Sequence, residues 1–147
     1  MGLKNIAVCT DFSEHADAAF SAALEMAEKF AAKLWVLHVL PPAVNPLLTD
    51  TEWVLPEEPR EALMLKLEER MQQSYGDRVP GTTDYELVVA NGHVSTEILN
   101  FLAQKAIDLC VMGSFGLTGM GLVMFGSVAK RVSHKAPCSV MIVRHWP

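Results

Sequence analysis

The residues of this chain whose types and spacing could do chemistry run from Met112 to Ser127, as Met-Gly-Ser-Phe-Gly-Leu-Thr-Gly-Met-Gly-Leu-Val-Met-Phe-Gly-Ser. Glycine has no Cβ and tolerates positive φ, so successive backbone N–H groups can converge on an anion. Gly126-Ser127 opens a helical stretch, whose first N–H groups and positive dipole end favour phosphate. The Ser127 hydroxyl adds another donor. A flexible turn followed by a serine N-cap is the plainer reading of the same residues. Two familiar phosphate loops fail here. The Lys of GxxxxGK[ST] is missing, and GxGxxG breaks because Met124 stands where a third glycine should follow Gly119 and Gly121. The segment also follows a fourth strand pattern, whereas the dinucleotide fingerprint follows the first. The spacing it does satisfy is G-x2-G-x9-G-[ST], at Gly113, Gly116, Gly126 and Ser127.

Elements must hold this loop in place. Ile6–Cys9, Leu34–Leu40, Tyr85–Ala90, Asp108–Met112 and Ser139–Val143 are apolar runs of strand length. Between them the period changes to that of helices. Ala16, Phe20, Ala23, Ala27 and Phe30 form the stripe of a first helix beginning near Ser13, and Asp11 with Glu14 has the spacing of a capping box. A second helix runs from about Pro59 to Tyr75, with Leu63, Leu67 and Met71 on one face. A third spans Ser95 to Ala106, with Ile98, Leu102 and Ala106 inward, and a short fourth spans Ser127 to Lys135. Residues 41–58, with four prolines, read as a long irregular loop whose length permits closure over a ligand.

Strands that alternate with helices and are apolar throughout specify an α/β fold, a parallel sheet covered on both faces. The economical topology is one doubly wound five-strand sheet in order 3-2-1-4-5, formed by residues 1–147 as one domain. Ligands of such sheets lie beyond the carboxyl ends of the strands, where the winding reverses. Here that crevice falls between strands 1 and 4, facing Asp11 and Gly113.

Composition narrows the function. The net charge of −5, with acids and bases interspersed, offers no basic face for nucleic acid. No apolar run reaches the ~20 residues a membrane span needs, and the start of the chain does not read as a signal peptide. A soluble cytoplasmic protein is expected. Cys9, Cys110 and Cys138 lack CxxC spacing and read as reduced core residues; the five histidines form no HxxxH pair, so no metal site is indicated.

With the glycine spacing in its place after strand 4, the chain resembles the universal stress protein family, in its ATP-binding branch. Thr10-Asp-Phe-Ser-Glu14, Leu37-His-Val39, Val89-Ala-Asn-Gly92 and Ala136-Pro-Cys-Ser-Val-Met-Ile-Val143 resemble family segments in the same order. The resemblance implies an adenine nucleotide alpha hydrolase-like fold and an adenine nucleotide across the strand 1–strand 4 crevice. It implies that Thr10 and Asp11 line the adenine pocket and that the main chain of Val39 reads the adenine edge. Met112 and Gly113 would approach the ribose, and Gly116, Gly126, Ser127 and Val128 would hold the phosphates. The implied ligand is ATP, with or without Mg²⁺. Phe115 stands where many relatives carry a basic or histidine side chain, which keeps ADP, AMP and cyclic AMP open as ligands.

The resemblance further implies a homodimer through Ser139 to Val143 and a stress-response regulatory role read by a protein partner. Slow ATP hydrolysis or self-phosphorylation is the enzymatic alternative; no acidic pair or Lys at the loop speaks for it. A phosphoacceptor domain is a weaker one, because strand 3 ends in Val89-Ala90-Asn91 rather than an Asp. A nucleotide-independent dimeric interaction module completes the set.

Overall fold

The computed structural model describes residues 2–42, 60–114 and 126–145. Gly116, most of the proline-rich loop and Phe115 lie outside them. Five strands, β1 (Asn5–Cys9), β2 (Lys33–Leu40), β3 (Tyr85–Asn91), β4 (Leu109–Gly113) and β5 (Ser139–Val143), form one sheet in the order β3-β2-β1-β4-β5. Every pairing is parallel. The expected topology is the observed one.

Four helices, α1 (Glu14–Phe30), α2 (Arg60–Ser74), α3 (Val94–Gln104) and α4 (Ser127–Lys135), connect the strands. Helices α1 and α2 cover one face of the sheet, where Phe20, Leu34, Val36, Met71 and Tyr75 share a core. Helices α3 and α4 cover the other, around Leu37, Ile98, Leu102, Cys110 and Val132. Because both faces are buried, β1 shows four buried residues in succession instead of alternation.

Several local expectations change. The N-cap of α1 is Ser13, whose hydroxyl accepts the Ala16 N–H at 3.2 Å, and not Asp11. Asp11 accepts the Ser13 N–H instead, at 3.0 Å, two residues ahead as in an Asx turn. Phe30 is exposed because α1 ends there, Ala31 turning left-handed with φ 52°. Helix α3 likewise stops at Gln104, so Ala106 (φ 50°) is exposed and Phe101 takes the inward place. Of the three residues expected on the inner face of α2, Met71 alone is buried, with Leu63 and Leu67 half-buried.

At the far end of the sheet from the glycine loop, Asp108 Oδ2 accepts the N–H groups of Lys4 (2.8 Å) and Asn5 (2.9 Å). These two bonds hold its carboxyl below the usual carboxylate range. A depressed pKa contributes stability in full above the ordinary carboxylate value and loses it as pH falls through the depressed one. Asp108→Asn is therefore expected to melt earlier than the parent at pH 7, by no more than about 3 °C for so exposed a group. Melting curves taken down to acidic pH should show the difference close as the parent carboxylate protonates. A gap that persists unchanged at low pH would show that the charge contributes nothing.

Candidate nucleotide site

At the carboxyl ends of the strands lies a cavity of about 440 Å³, in the range of small-molecule sites. Strand β1 and the turn after it supply Cys9, Thr10 and Asp11, and α1 supplies Ala16. Strand β2 and its exit supply Leu37, His38, Val39 and Pro41, and α3 supplies Val94 and Ile98. Strand β4 adds Met112, Gly113 and the following Ser114, and the start of α4 adds Gly126, Ser127, Val128 and Ala129. The winding reversal makes this space: β1 and β4 are neighbours, while the helices leaving them go to opposite faces. A larger opening of about 520 Å³ lies at the other end of the sheet, where Lys4 and Lys33 face Glu28 and Asp84. Its mixed charges converge on no single ligand chemistry.

Thr10, Asp11, Val39, Met112, Gly113, Gly126, Ser127 and Val128, all singled out from sequence, border the one cavity; Gly116 lies outside the described residues. The expected serine N-cap is the reading that changes. Gly126, not Ser127, is the N-cap of α4, and Ser127 is its first helical residue. Gly126 brings no side-chain oxygen to bond the first-turn N–H groups, and among the described residues no side chain caps α4. Gly113 serves packing: a Cβ there would lie 2.7 Å from the carbonyl oxygen of His15 in α1.

Apolar lining residues escaped the sequence reading. Leu37, Val94, Ile98 and Ala129 wall the cavity, yet in sequence each is one more residue of a core stripe. His38 was likewise read only as part of a strand. Its Nδ1 donates to the Thr10 carbonyl at 2.8 Å, and burial pushes its pKa down, so the ring is neutral at pH 7. His93, beside the cavity in sequence, instead caps α3, its Nδ1 accepting the Thr96 N–H at 3.4 Å. The three cysteines are free thiols, Cys9 and Cys110 buried. Among the described residues no helix is long and apolar enough to cross a membrane.

Asp11 is thus the acidic residue lining a mostly apolar, partly open cavity that the start of α4 also lines. Such an arrangement can seat a flat apolar base, accept a hydrogen bond from it and donate several to an anion.

The chain is 34% identical to a universal stress protein of Methanocaldococcus jannaschii, over 96% of this chain and 82% of that one. It is also 34% identical to a universal stress protein of Bacillus subtilis, over 93% and 96%. Among solved structures, a universal stress protein of Lactobacillus plantarum superposes with a TM-score of 0.75 at 27% identity, over 98% of this chain and 99% of that one. Two more distant ones share the fold: a universal stress protein in complex with cyclic AMP (TM-score 0.63, 23% identity, 97% and 98% covered) and one from Archaeoglobus fulgidus in complex with dAMP (0.67, 21%, 97% and 98%). The model of the universal stress protein family matches residues 2–144, so nearly every residue that builds the sheet and its cavity falls within the match, and the chain belongs to the universal stress protein family.

Proposed function

We propose that this protein is an adenine-nucleotide-binding regulatory protein of the stress response, taking ATP at the cavity between β1 and β4. The observation that carries the reading is that Asp11 and the start of α4 line one mostly apolar cavity. Thr10, Asp11 and the Val39 main chain receive the base, Met112 and Gly113 the ribose, and Gly116, Gly126, Ser127 and Val128 the phosphates. Cyclic AMP and dAMP in two relatives of the same fold support an adenine nucleotide here. Residues 113–129 contain no Lys, Arg or His, so N–H groups and hydroxyls hold the phosphates, with Mg²⁺ as counterion for a triphosphate. Binding, not hydrolysis, is the proposed activity, carried out by a protein of the cytoplasm. Phosphoryl transfer needs groups that hold Mg²⁺ and orient a nucleophile.

The readout in this proposal is assembly. Strand β5 is the outer strand of the sheet beside β4, and Val140 to Val143 are only half-buried. An apolar edge of this kind needs cover, and a second copy across a two-fold axis supplies it. Mass spectrometry of natively purified protein should find a retained adenine nucleotide. Calorimetry should then show heat of binding for ATP, with ADP, AMP and cyclic AMP ranked against it. Sedimentation with and without ATP reports whether a dimer forms and responds. No heat with any of the four nucleotides would end the reading.

A further inference from the structure

The Asp11 carboxylate is carried on a turn that the chain holds against its own backbone preference. Phe12, immediately after it, has φ 67°, a left-handed conformation that is unfavourable for a bulky aromatic residue. Four groups keep it there. The Thr10 hydroxyl accepts the Phe12 N–H at 2.9 Å and is itself hydrogen-bonded to the buried Tyr75 hydroxyl. The His38 Nδ1–H, from β2, fixes the Thr10 carbonyl at 2.8 Å; a carbonyl only accepts, so this nitrogen carries the proton. The Phe12 ring lies 4.8 Å from the His38 ring and 5.9 Å from Tyr75, with the Arg70 guanidinium 4.0 Å over it.

Tyr75 and Arg70 do not border the cavity and so act on the turn, while His38 lines the cavity and bonds the Thr10 carbonyl, touching both. A glycine at position 12 and apolar residues at 10 and 75 would make an ordinary connection without strain or a buried hydroxyl pair. The cost is concentrated at the one turn that delivers Asp11.

We infer that His38 and Tyr75 are positioning residues for base selection: through Thr10 they fix the Asp11 carboxylate so that the cavity favours a base with an amino group over one with a carbonyl at that edge. A carboxylate only accepts hydrogen bonds, so it welcomes the amino group of adenine and repels the carbonyl oxygen of guanine. The inference rests on the adenine-nucleotide reading above.

The test is calorimetry with ATP and GTP on the parent, His38→Leu, His38→Asn and Tyr75→Phe, with melting curves of each. Loss of one positioning hydrogen bond in His38→Leu or Tyr75→Phe should weaken ATP by about tenfold. GTP should change little, so the ATP:GTP ratio falls by about the same factor. His38→Asn presents an N–H at nearly the position of Nδ1 and should restore the ratio. If ATP and GTP weaken together in step with lost stability, or if Asn is as poor as Leu, His38 and Tyr75 serve the fold alone and the inference is overturned. A ratio that no variant shifts overturns it as well. ATP binding by the parent with no preference over GTP refutes base selection while leaving nucleotide binding intact, whereas no binding by the parent refutes both.

Discussion

Replacing Gly126 by valine is expected to leave the fold in place and to weaken ATP binding by at least about 100-fold, a loss near 2.7 kcal/mol. The backbone gives no reason for glycine at this position. Its φ of −64° and ψ of 161° suit any residue, and a Cβ would meet no atom of the described residues within 4 Å. Gly126 lines the cavity, so a larger side chain at this position competes with a ligand for room there. Donors at the start of α4 must come within about 3 Å of a phosphate oxygen to bond it, and a branched side chain keeps the ligand farther off. Loss of a favourable glycine N-cap costs the fold at most about 1 kcal/mol. Calorimetry and a melting curve on the same preparation separate the two effects. Valine-bearing protein that binds ATP within threefold of the parent would show that the phosphates go elsewhere.

The opposite outcome is expected at Gly113. Here an added methyl group would sit 2.7 Å from His15 O, 2.8 Å from His15 C and 2.9 Å from its Cβ. The first two are backbone atoms of the first turn of α1 and the Cβ is fixed by that backbone, so no rotamer change relieves the clash. Helix α1 must move off β4. Gly113→Ala should therefore destabilise the protein by about 2 kcal/mol, lowering the melting temperature by about 4–8 °C. Thermal unfolding followed by circular dichroism measures this directly. An alanine variant as stable as the parent would mean that α1 does not press on Gly113 as described. The two glycines line the same cavity, yet a side chain is expected to disturb the fold at one and ligand binding at the other.

That difference was invisible in the sequence, where both belong to one spacing motif. The sheet was legible because continuous apolar runs between helical periods admit few arrangements, and the order β3-β2-β1-β4-β5 followed from them. Helix ends were harder. Periodicity ran on through Phe30 and Ala106, because α1 and α3 are followed by alanines at positive φ, where glycine would have marked the stop. Caps went wrong where two candidates stood together: Asp11 with Ser13, and Gly126 with Ser127. Cavity-lining residues were legible where a loop motif or the family resemblance marked them, as with Asp11, Val39 and Ser127. Val94 and Ile98 were not, since an apolar cavity wall and a core share one composition. Nor could the Thr10–Tyr75 pair be read, as its partners are 65 positions apart and joined only by the fold.

The cavity draws on residues 9–41 from the first half of the chain and 94–129 from the second. The two halves of the sheet meet along a single strand pair, β1 beside β4. A molecule seated there therefore works as a removable cross-link across that seam. At a hundred times its dissociation constant it adds about 2.7 kcal/mol to the folded state. That stabilisation slows the opening of both halves together, so amide exchange should fall in β2 as well as in α4.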